Sequence, residues 1–369
     1  MTLGQQRVVE MGKRIVIMAG GTGGHVFPAL AVAQLLMEKG WQVSWLGTKK
    51  GLESRVIPEN GIEIDWLSVT GVRGKGFTSK IIAVFKLLMA SMQALKILRM
   101  RKPDVVLGMG GFVAGPGGLM ARLLGIPLII HEQNRVPGTT NRLLANVANQ
   151  VLEAFPDSFN KQANAKFTGN PLRKQFLASS PLLGEQASEN KDEKTESNFR
   201  ILVVGGSQGA KVLNDIVPEA LAELNSVEVR HQTGAAMLEQ VNSRYKTLGV
   251  KAEVNAFIED MVSAYQWADM VICRSGAMTV SEVAALGLPA IFVPLPSAID
   301  DHQTANAKYL TDVGAGLMLM QKDLNVKTLV EQITKARKQL DAMGKVAKGC
   351  ARLDATEAVA GYCIAEAGL

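Results

Sequence analysis

Two glycine-rich turns, each set between an apolar strand-like run and a helix-like run, are the segments best suited to chemistry. They are residues 20–25 (GGTGGH) and residues 205–209 (GGSQG). Backbone N–H groups of such turns close on a phosphate, and the helix that follows adds partial positive charge. Each turn alone is also compatible with tight helix–strand packing, but the pair predicts two phosphate-binding loops that face one cleft.

Neither turn is followed by the acidic residue that a nicotinamide cofactor requires. That carboxylate stands roughly 20 positions further on, at the end of the second strand, where it binds the ribose hydroxyls. Residues 47–50 (GTKK) and 231–234 (HQTG) occupy the two corresponding places, and neither stretch contains a carboxylate. The sequence therefore argues against a hydride-transfer enzyme.

A third segment, residues 273–282 (CRSGAMTVSE), leads from a strand-like run through small residues into a helix. The N–H groups of residues 276–279 are suited to a diphosphate. Glu282, about one turn later, is suited to accept both hydroxyls of a ribose. The alternative is that Ser281 and Glu282 only complement the start of the helix electrostatically.

Two histidines are candidate general bases. His25 stands at the helix end of the first glycine turn, where the helix dipole disfavours the imidazolium form, so a neutral imidazole is available to take a proton from a sugar hydroxyl. The alternative is that His25 only binds nearby backbone. His131 follows an apolar run and competes for the same role, with Glu132 beside it as a weaker candidate.

The elements that must position these residues repeat a strand–turn–helix–strand order in each half. Apolar runs predict buried parallel strands at 13–19, 41–46, 105–107 and 128–130, and again at 200–204, 227–231, 270–273 and 290–293. Two such starts nearly two hundred residues apart predict two separate Rossmann-like domains of the α/β class. The polar stretch 188–198 is a solvated loop by composition.

Composition supports two cytoplasmic domains and leaves the partner open. The chain has 369 residues, and its three cysteines are scattered without a CxxC pair, which argues against a disulfide framework or a zinc site. Residues 1–12 lack a signal-peptide core and lead directly into a strand.

The two halves of the chain differ in charge. Residues 1–173 carry 21 Lys and Arg against 10 Asp and Glu, and residues 174–369 carry 19 against 24. The basic half suits nucleic acid, anionic lipid or a phosphorylated substrate, or is simply a solvated surface.

Residues 81–98 (IIAVFKLLMASMQALKIL) raise the question of a membrane. Lys86 and Lys96 interrupt the run, which makes it a poor transmembrane span. It suits a helix that lies in the interface, with apolar side chains in lipid and lysines at anionic headgroups. An amphipathic helix packed on the sheet is the alternative, and the two readings are compatible for different faces.

Six motifs taken together resemble the MurG family of bacterial peptidoglycan glycosyltransferases. They are residues 20–33 (GGTGGHVFPALAVA), 105–118 (VVLGMGGFVAGPGG), 131–134 (HEQN), 169–173 (GNPLR), 203–210 (VVGGSQGA) and 273–282 (CRSGAMTVSE). The resemblance runs from about Lys13 to the last helix. It implies the GT-B fold of two Rossmann-like domains facing a cleft, with domains at 1–172 and 173–354 and a final helix at about 355–369 that returns to the first domain.

The resemblance also implies an activity and its partners. This family moves N-acetylglucosamine from UDP-GlcNAc to the C4 hydroxyl of lipid I, the undecaprenyl-diphospho-muramoyl-pentapeptide, with inversion. We therefore expect a peripheral protein on the cytoplasmic face of the bacterial inner membrane. Its partners are an anionic membrane surface and proteins of cell-wall synthesis and division, and it has neither a nucleic-acid partner nor a cofactor. No DxD occurs in the chain, so no obligatory metal is predicted.

Site residues carry over from the family by motif. UDP-GlcNAc contacts fall on Thr22, Gly23, Gly24, Asn134, Arg173, Ser207, Ile258, Ala277, Met278, Thr279, Val280, Ser281, Glu282 and Gln303, and the membrane face falls on Ile81, Ile82 and Phe85. Phe112 stands where relatives often carry tyrosine, so it offers no hydroxyl for acid–base chemistry. His302-Gln303 stands where some relatives have two glutamines.

The mechanism predicted from these residues is a single displacement in which the base is His25, which is favoured, or another nearby group. Two other functions fit the same fold: a UDP-GlcNAc 2-epimerase, which needs no acceptor, and a non-catalytic nucleotide-sugar sensor. An epimerase would have a denser set of carboxylates near the sugar and no basic apolar helix facing lipid.

Overall fold

The computed structural model describes residues 12–68, 77–178, 198–206 and 209–368, without the side chains of residues 77–83 and 299. Two parallel sheets, each flanked by helices, confirm the predicted α/β class of two Rossmann-like domains. The predicted loop at 188–198 lies almost wholly outside the described residues.

The first sheet has seven strands in the order β3-β2-β1-β4-β5-β6-β7, all parallel. Its central strands are runs of branched apolar residues, as expected for strands that are covered on both faces. The strands are β1 Arg14–Met18, β2 Gln42–Gly47, β3 Glu63–Trp66, β4 Val105–Gly108, β5 Leu128–Glu132, β6 Gln150–Glu153 and β7 Lys166–Phe167. The helices are α1 Gly23–Glu38, α2 Glu53–Glu59, α3 Phe77–Arg101, α4 Ala114–Leu123 and α5 Thr139–Leu144, and α6 Lys174–Ala178 follows the sheet.

The second sheet has six strands in the order β10-β9-β8-β11-β12-β13, again all parallel. The strands are β8 Phe199–Val204, β9 Val227–Gln232, β10 Lys251–Asn255, β11 Met270–Cys273, β12 Ala290–Phe292 and β13 Gly316–Met318. The helices are α7 Lys211–Ala222, α8 Leu238–Thr247, α9 Met261–Trp267, α10 Ala277–Leu286, α11 His302–Thr311, α12 Val326–Arg337, α13 Leu340–Cys350 and α14 Ala355–Gly368.

Strand order determines where each sheet opens to a ligand. The order reverses between β1 and β4 in the first sheet and between β8 and β11 in the second. Ligands of open α/β sheets bind at such reversals, beyond the carboxyl ends of the strands. The loops at those four ends carry the glycine turns and the start of residues 273–282, so the fold brings the predicted segments to the two crevices.

The chain passes between the two sheets twice. Residues 169–173 lead from the first to the second, and α14 returns to pack against α1 and β4. Val359, Ala360 and Cys363 of α14 are buried in the same apolar cluster as Ile15 and Leu36. The final helix therefore completes the core of the first sheet.

Candidate active site

The first glycine turn lies open at the start of α1. Thr22 precedes the helix in an extended conformation, and no side chain caps the N–H groups of the first turn. The buried carboxylate of Glu53 on α2 holds the turn, since it accepts hydrogen bonds from the Gly21 N–H at 2.9 Å and from the Thr48 N–H at 2.9 Å. The N–H groups at the start of α1 are uncapped, and the turn before them is held by Glu53. Such groups are suited to bind an anion or a sugar oxygen.

The loop after β4 packs tightly against this turn. Gly111 has a φ of +81°, and a Cβ there would lie 2.5 Å from the carbonyl oxygen of Gly20. Only glycine permits both the left-handed backbone and the close approach. The loop exposes Phe112, whose side chain is 56% accessible beside the crevice.

His25 lies half-buried in the first turn of α1. Its Nδ1 is 2.7 Å from Oε1 of Gln133, which comes from the residue after β5. An amide oxygen only accepts, so Nδ1 carries a proton, and Nε2 is therefore the nitrogen that has the lone pair whenever the ring is neutral. That arrangement suits a general base.

His131 is completely buried on β5, which extends further than the sequence predicts. Its Nε2 donates to the carbonyl oxygen of Gly169 at 2.9 Å. Burial lowers the pKa of His131 to about 4, so the ring is neutral near pH 7. The structure therefore places this alternative base inside the protein, with both nitrogens in hydrogen bonds.

Glu132 is also buried, with both carboxylate oxygens bonded to neighbouring donors. Oε1 accepts from the Asn134 N–H at 2.9 Å, and Oε2 accepts from the Gly138 N–H at 3.1 Å and from Asn141 at 2.9 Å. Through these hydrogen bonds Glu132 stabilises the loop after β5.

The second crevice forms a cavity of about 600 Å³ between the loops after β8 and β11. Its wall includes the second glycine turn and the starts of α7 and α10, neither of which has a side-chain cap. Gly209 has a φ of +75°, and a Cβ there would lie 1.8 Å from the carbonyl oxygen of Thr233, so the turn requires glycine. Two uncapped helix starts at one cavity favour a polyanionic ligand such as a diphosphate.

Glu282 lies on α10 with 13% of its side chain exposed. Burial raises the pKa of Glu282 to about 7, while the nearby Arg173 guanidinium and the Tyr265 hydroxyl partly oppose the rise. The Arg173 Nη2 is 3.7 Å from Oε1 of Glu282, and Tyr265 donates to Oε2 at 3.5 Å. These long contacts leave the carboxylate free to accept shorter hydrogen bonds from a diol.

Arg173 lies where the two domains meet. Its guanidinium stacks 5.2 Å from the centroid of the Phe27 ring on α1 and 5.0 Å from that of the Phe176 ring. The contacts of one cation with α1, α6 and α10 place the two crevices next to each other.

The other residues predicted to bind UDP-GlcNAc lie in the cavity wall, in neighbouring loops and on helices α1 and α10. Gln303 and Thr279 line the cavity, and Oε1 of Gln303 accepts from the Leu295 N–H at 2.9 Å. Ile258 lies in the loop after β10, and its N–H is bonded to Gln232 at 2.9 Å. Asn134 contacts the second domain through Asn306 at 3.1 Å. Ala277, Met278, Val280 and Ser281 occupy α10, Gly23 and Gly24 begin α1, and Ser207 lies outside the described residues.

Sequence reasoning missed the polar residues that hold the site together. Asn306 is fully buried on α11, where it accepts from the Arg135 N–H at 2.9 Å and donates to the Ser275 carbonyl oxygen at 3.2 Å. Asn170 donates to the Gln133 carbonyl oxygen at 3.1 Å and to the Ser281 hydroxyl at 3.0 Å. Both lie within or beside recognisable motifs, but their partners are more than thirty positions away, which no local pattern reveals.

The apolar segment 81–98 lies within α3. Ala90, Ala94 and Leu98 form a buried seam, whereas Phe85 is 63% and Met92 is 71% exposed. The helix therefore packs on the domain by one face and presents large apolar side chains on the other. Ile81 and Ile82 lie in α3, but their side chains are outside the described residues.

Within the described residues, no three His, Cys, Asp or Glu side chains are grouped as metal ligands, and no helix is both long and apolar enough to cross a membrane.

Two facing crevices with uncapped helix starts, a carboxylate suited to a ribose and an imidazole with a bare nitrogen define a nucleotide-sugar glycosyltransferase of the GT-B class. Comparison with known proteins agrees. Residues 15–153 match the N-terminal domain of glycosyltransferase family 28, and residues 200–358 match its C-terminal domain. The chain belongs to glycosyltransferase family 28, and within it to the MurG enzymes.

Full-length relatives support that assignment. A protein of Methylococcus capsulatus is 57% identical over 365 residues, which cover 97% of this chain and 100% of that one. A protein of Shewanella sediminis is 50% identical, over 98% of this chain and 99% of that one. Both are named UDP-N-acetylglucosamine–N-acetylmuramyl-(pentapeptide) pyrophosphoryl-undecaprenol N-acetylglucosamine transferase.

Solved structures separate the family from the fold. The crystal structure of Acinetobacter baumannii MurG is 42% identical, with a TM-score of 0.81 over 96% of this chain and 99% of that one. The UDP-GlcNAc 2-epimerase of Neisseria meningitidis reaches a TM-score of 0.65, over 96% of this chain and 100% of that one, with 13% identity. The second likeness concerns the fold alone, so the family resemblance, and not the architecture, separates transferase from epimerase.

Proposed function

We propose that this protein transfers N-acetylglucosamine from UDP-GlcNAc to the C4 hydroxyl of lipid I, which gives the β-1,4-linked disaccharide of lipid II. The observation that carries the proposal is the 57% identity, over nearly the whole chain, to the Methylococcus capsulatus transferase of that name. The site supports it through a cavity of about 600 Å³ at two uncapped helix starts in one crevice and a candidate base in the other.

The donor binds mainly to the second domain. Its diphosphate lies at the uncapped start of α10 and at the glycine turn that contains Ser207, and its ribose binds Glu282. Gln303 lines the cavity, and Arg173 lies 3.7 Å from the Glu282 carboxylate. The remaining donor contacts in the proposal are Thr22, Gly23, Gly24, Asn134, Ile258 and residues 277–281.

The reaction is a single in-line displacement. The bare Nε2 of His25 takes the proton of the acceptor C4 hydroxyl while that oxygen forms its bond to the anomeric carbon. The bond from the anomeric carbon to the phosphate oxygen breaks, and its electron pair leaves with UDP. The uncapped N–H groups of α10 stabilise the charge on the departing diphosphate. Attack opposite the leaving group inverts the configuration.

The acceptor approaches from a membrane face on the first domain. Helix α3 exposes large apolar side chains that include Phe85 and Met92, and α4, which packs beside α3, exposes Leu119 and Leu123. Lys86 and Lys96 on α3 supply the charge that anionic headgroups attract. Peripheral attachment at the cytoplasmic face of the inner membrane would bring the lipid-linked acceptor to the crevice that holds His25.

The proposed domain limits are 1–172 and 173–354, with residues 355–369 belonging to the first domain. The change of sheet after residues 169–173 and the packing of α14 against α1 support these limits.

The test is UDP release from purified protein with and without a soluble lipid I analogue. The transferase predicts release that depends on the acceptor and is unchanged by a chelator of divalent cations, since the chain has no DxD motif. Isomerisation of the sugar without an acceptor would establish the epimerase instead. Binding of UDP-GlcNAc without turnover under either condition would establish the sensor.

A further inference from the structure

Gln133 lies between the two histidines of the first crevice. Its side chain is 1% exposed, and its Oε1 is 2.7 Å from Nδ1 of His25. Its Nε2 is 3.0 Å from Nδ1 of His131 and 3.1 Å from the carbonyl oxygen of the same residue. One buried amide therefore contacts both imidazoles.

The partners of Gln133 determine which way its amide points. The carbonyl oxygen of His131 only accepts, so the Gln133 atom beside it must be the NH₂ group. The amide oxygen consequently faces His25. With this orientation, only a ring whose Nδ1 carries the proton can satisfy the contact.

A second acceptor-only group fixes His131. The carbonyl oxygen of Gly169 lies 2.9 Å from its Nε2, so that nitrogen carries the proton. The ring is fully buried and neutral, which leaves Nδ1 bare to accept from Gln133. The hydrogen bonds thus run in one direction from His25 through Gln133 to His131 and the linker at Gly169.

We propose that Gln133 is a positioning residue that holds His25 in the Nδ1–H tautomer, with Nε2 bare toward the cleft. The proposal rests on the proposed role of His25 as base. A neutral histidine has one proton for two nitrogens, and a hydrogen bond at one of them decides which nitrogen can react. Loss of Gln133 would admit the Nε2–H tautomer, which cannot take a proton from the acceptor.

The surroundings add support for a fixed ring. A Cβ on Gly110 would lie 3.0 Å from Cε1 and Nδ1 of His25, so the loop after β4 closes against this edge of the imidazole. The backbone of Gln133 is held as well, because its carbonyl oxygen accepts from Asn170, which also bonds Ser281 on α10. The donor-binding helix is thereby connected to the residue that orients the base.

The charged groups on the elements around His25 have other partners. Glu53 of α2 binds the Gly21 and Thr48 N–H groups, and Glu132 binds the loop after β5. Arg173 stacks on Phe27 of the same helix as His25. The titratable neighbour in the hydrogen-bonded chain is His131, which is neutral. Gln133 is thus the group that acts directly on Nδ1 of His25.

The first experiment observes the tautomer without catalysis. The chain has four histidines, so ring ¹⁵N signals can be assigned by single His→Gln substitutions. We expect His25 as the Nδ1–H form and His131 as the Nε2–H form in the unmodified protein. In Gln133→Leu the His25 signals should shift toward the Nε2–H form. Unchanged His25 signals in that variant would overturn the proposal, even if His25 is the base.

The second experiment measures kinetics. Gln133→Leu should lower kcat about 10- to 100-fold, by analogy with the loss of a partner that orients a metal-binding histidine, with KM for UDP-GlcNAc unchanged. Gln150→Leu, which removes an amide bonded to Glu366 away from the site, is the matched control and should leave kcat unchanged. Equal kcat in the Gln133 and Gln150 variants would contradict the proposal.

Gln133→Glu keeps an acceptor oxygen and adds a charge. The acidic limb of kcat/KM should move to higher pH, since a carboxylate at Nδ1 favours the imidazolium form of His25. If the acidic limb of Gln133→Glu stays in place, the role of Gln133 is purely structural. That result would overturn the proposal even if Gln133→Leu failed to fold. Normal turnover of His25→Gln would instead refute the base and leave the tautomer measurement standing.

Discussion

At the scale of single residues, His25 is the group whose loss should separate catalysis from binding. We expect His25→Ala to lower kcat by roughly 10²- to 10⁴-fold, the range that a positioned general base contributes. The dissociation constant for UDP-GlcNAc should stay nearly unchanged, because the donor cavity is lined by residues of the second domain. Acceptor-dependent UDP release and calorimetric titration measure the two quantities. Near-normal turnover would refute the base assignment.

Glu282 should make donor binding depend on pH. Burial raises the pKa of Glu282 to about 7, so the free protein carries a protonated side chain at pH 6 and a carboxylate at pH 8. Ribose hydroxyls donate best to the carboxylate, and the diphosphate diester of a nucleotide sugar does not titrate in this range. Affinity for UDP-GlcNAc should therefore rise between pH 6 and pH 8, and Glu282→Gln should flatten the profile. A wild-type affinity that does not change with pH would count against the ribose contact.

The raised pKa of Glu282 also predicts the direction in which the stability of the folded protein changes with pH. Between its ordinary value of 4.5 and about 7, the folded chain keeps a proton on Glu282 that the unfolded chain has lost. Stability from this group is therefore complete below pH 4.5 and falls as pH rises through 7. Glu282→Gln should be more stable relative to wild type at pH 8 than at pH 5, by an amount on the order of 1 kcal/mol for each pKa unit. Thermal unfolding at the two pH values measures it, and the opposite sign would contradict the burial of a protonated Glu282.

At the scale of elements, the sequence was sufficient for the strands that carry the site. Central strands such as β1 and β11 are short apolar runs, and small residues that form a turn follow within two positions of the end of each strand. Predicted limits differ by a residue or two, most at β5. There, His131 and Glu132 continue the strand because the buried side chains find partners within the protein.

The hydrogen-bonded framework of the site was beyond the reach of sequence patterns. Asn170 and Asn306 bind groups on the other domain, and Glu53 binds a turn more than thirty residues before it. Such contacts depend on how the helices pack. A single Asn or Glu is not part of a periodic pattern, so the sequence does not predict which group it binds. The glycine turns were predictable because the backbone itself requires the residue type.

Helix α3 should attach the protein to anionic membranes. The side chains of Phe85 and Met92 are on one face and mostly exposed. We expect Phe85→Glu plus Met92→Glu to abolish flotation with vesicles that contain anionic phospholipid, since two charges would have to enter the apolar layer. Val313→Glu plus Val346→Glu, which places the same charges on exposed sites of the second domain, is the matched control. Equal flotation of both double variants would exclude α3 as the membrane face.

At the scale of the whole molecule, Asn306 should couple the two domains. It bonds Asn134 and Arg135 of the first domain and Ser275 of the second. Asn306→Ala removes the partner of the buried Ser275 carbonyl oxygen, and also that of the half-buried Arg135 N–H and Asn134 side chain. An unsatisfied buried polar group costs about 1–3 kcal/mol, so the variant should have a lower Tm and a higher KM for UDP-GlcNAc. Arg142→Ala, which removes an exposed ion pair with Asp300 across the same interface, should cost about 0–1 kcal/mol. Equal effects of the two variants would show that the buried asparagine does not join the domains.

The return of α14 to the first sheet has a consequence for synthesis on the ribosome. The strand β1 is translated long before α14. The apolar cluster around Ile15 and Leu36 is not fully covered until Val359, Ala360 and Cys363 of α14 pack against it. The nascent first domain therefore keeps an uncovered apolar groove along α1 while the whole second domain is translated. Ribosome-bound chains that stop before residue 355 should bind holdase chaperones through that groove and release them once α14 emerges.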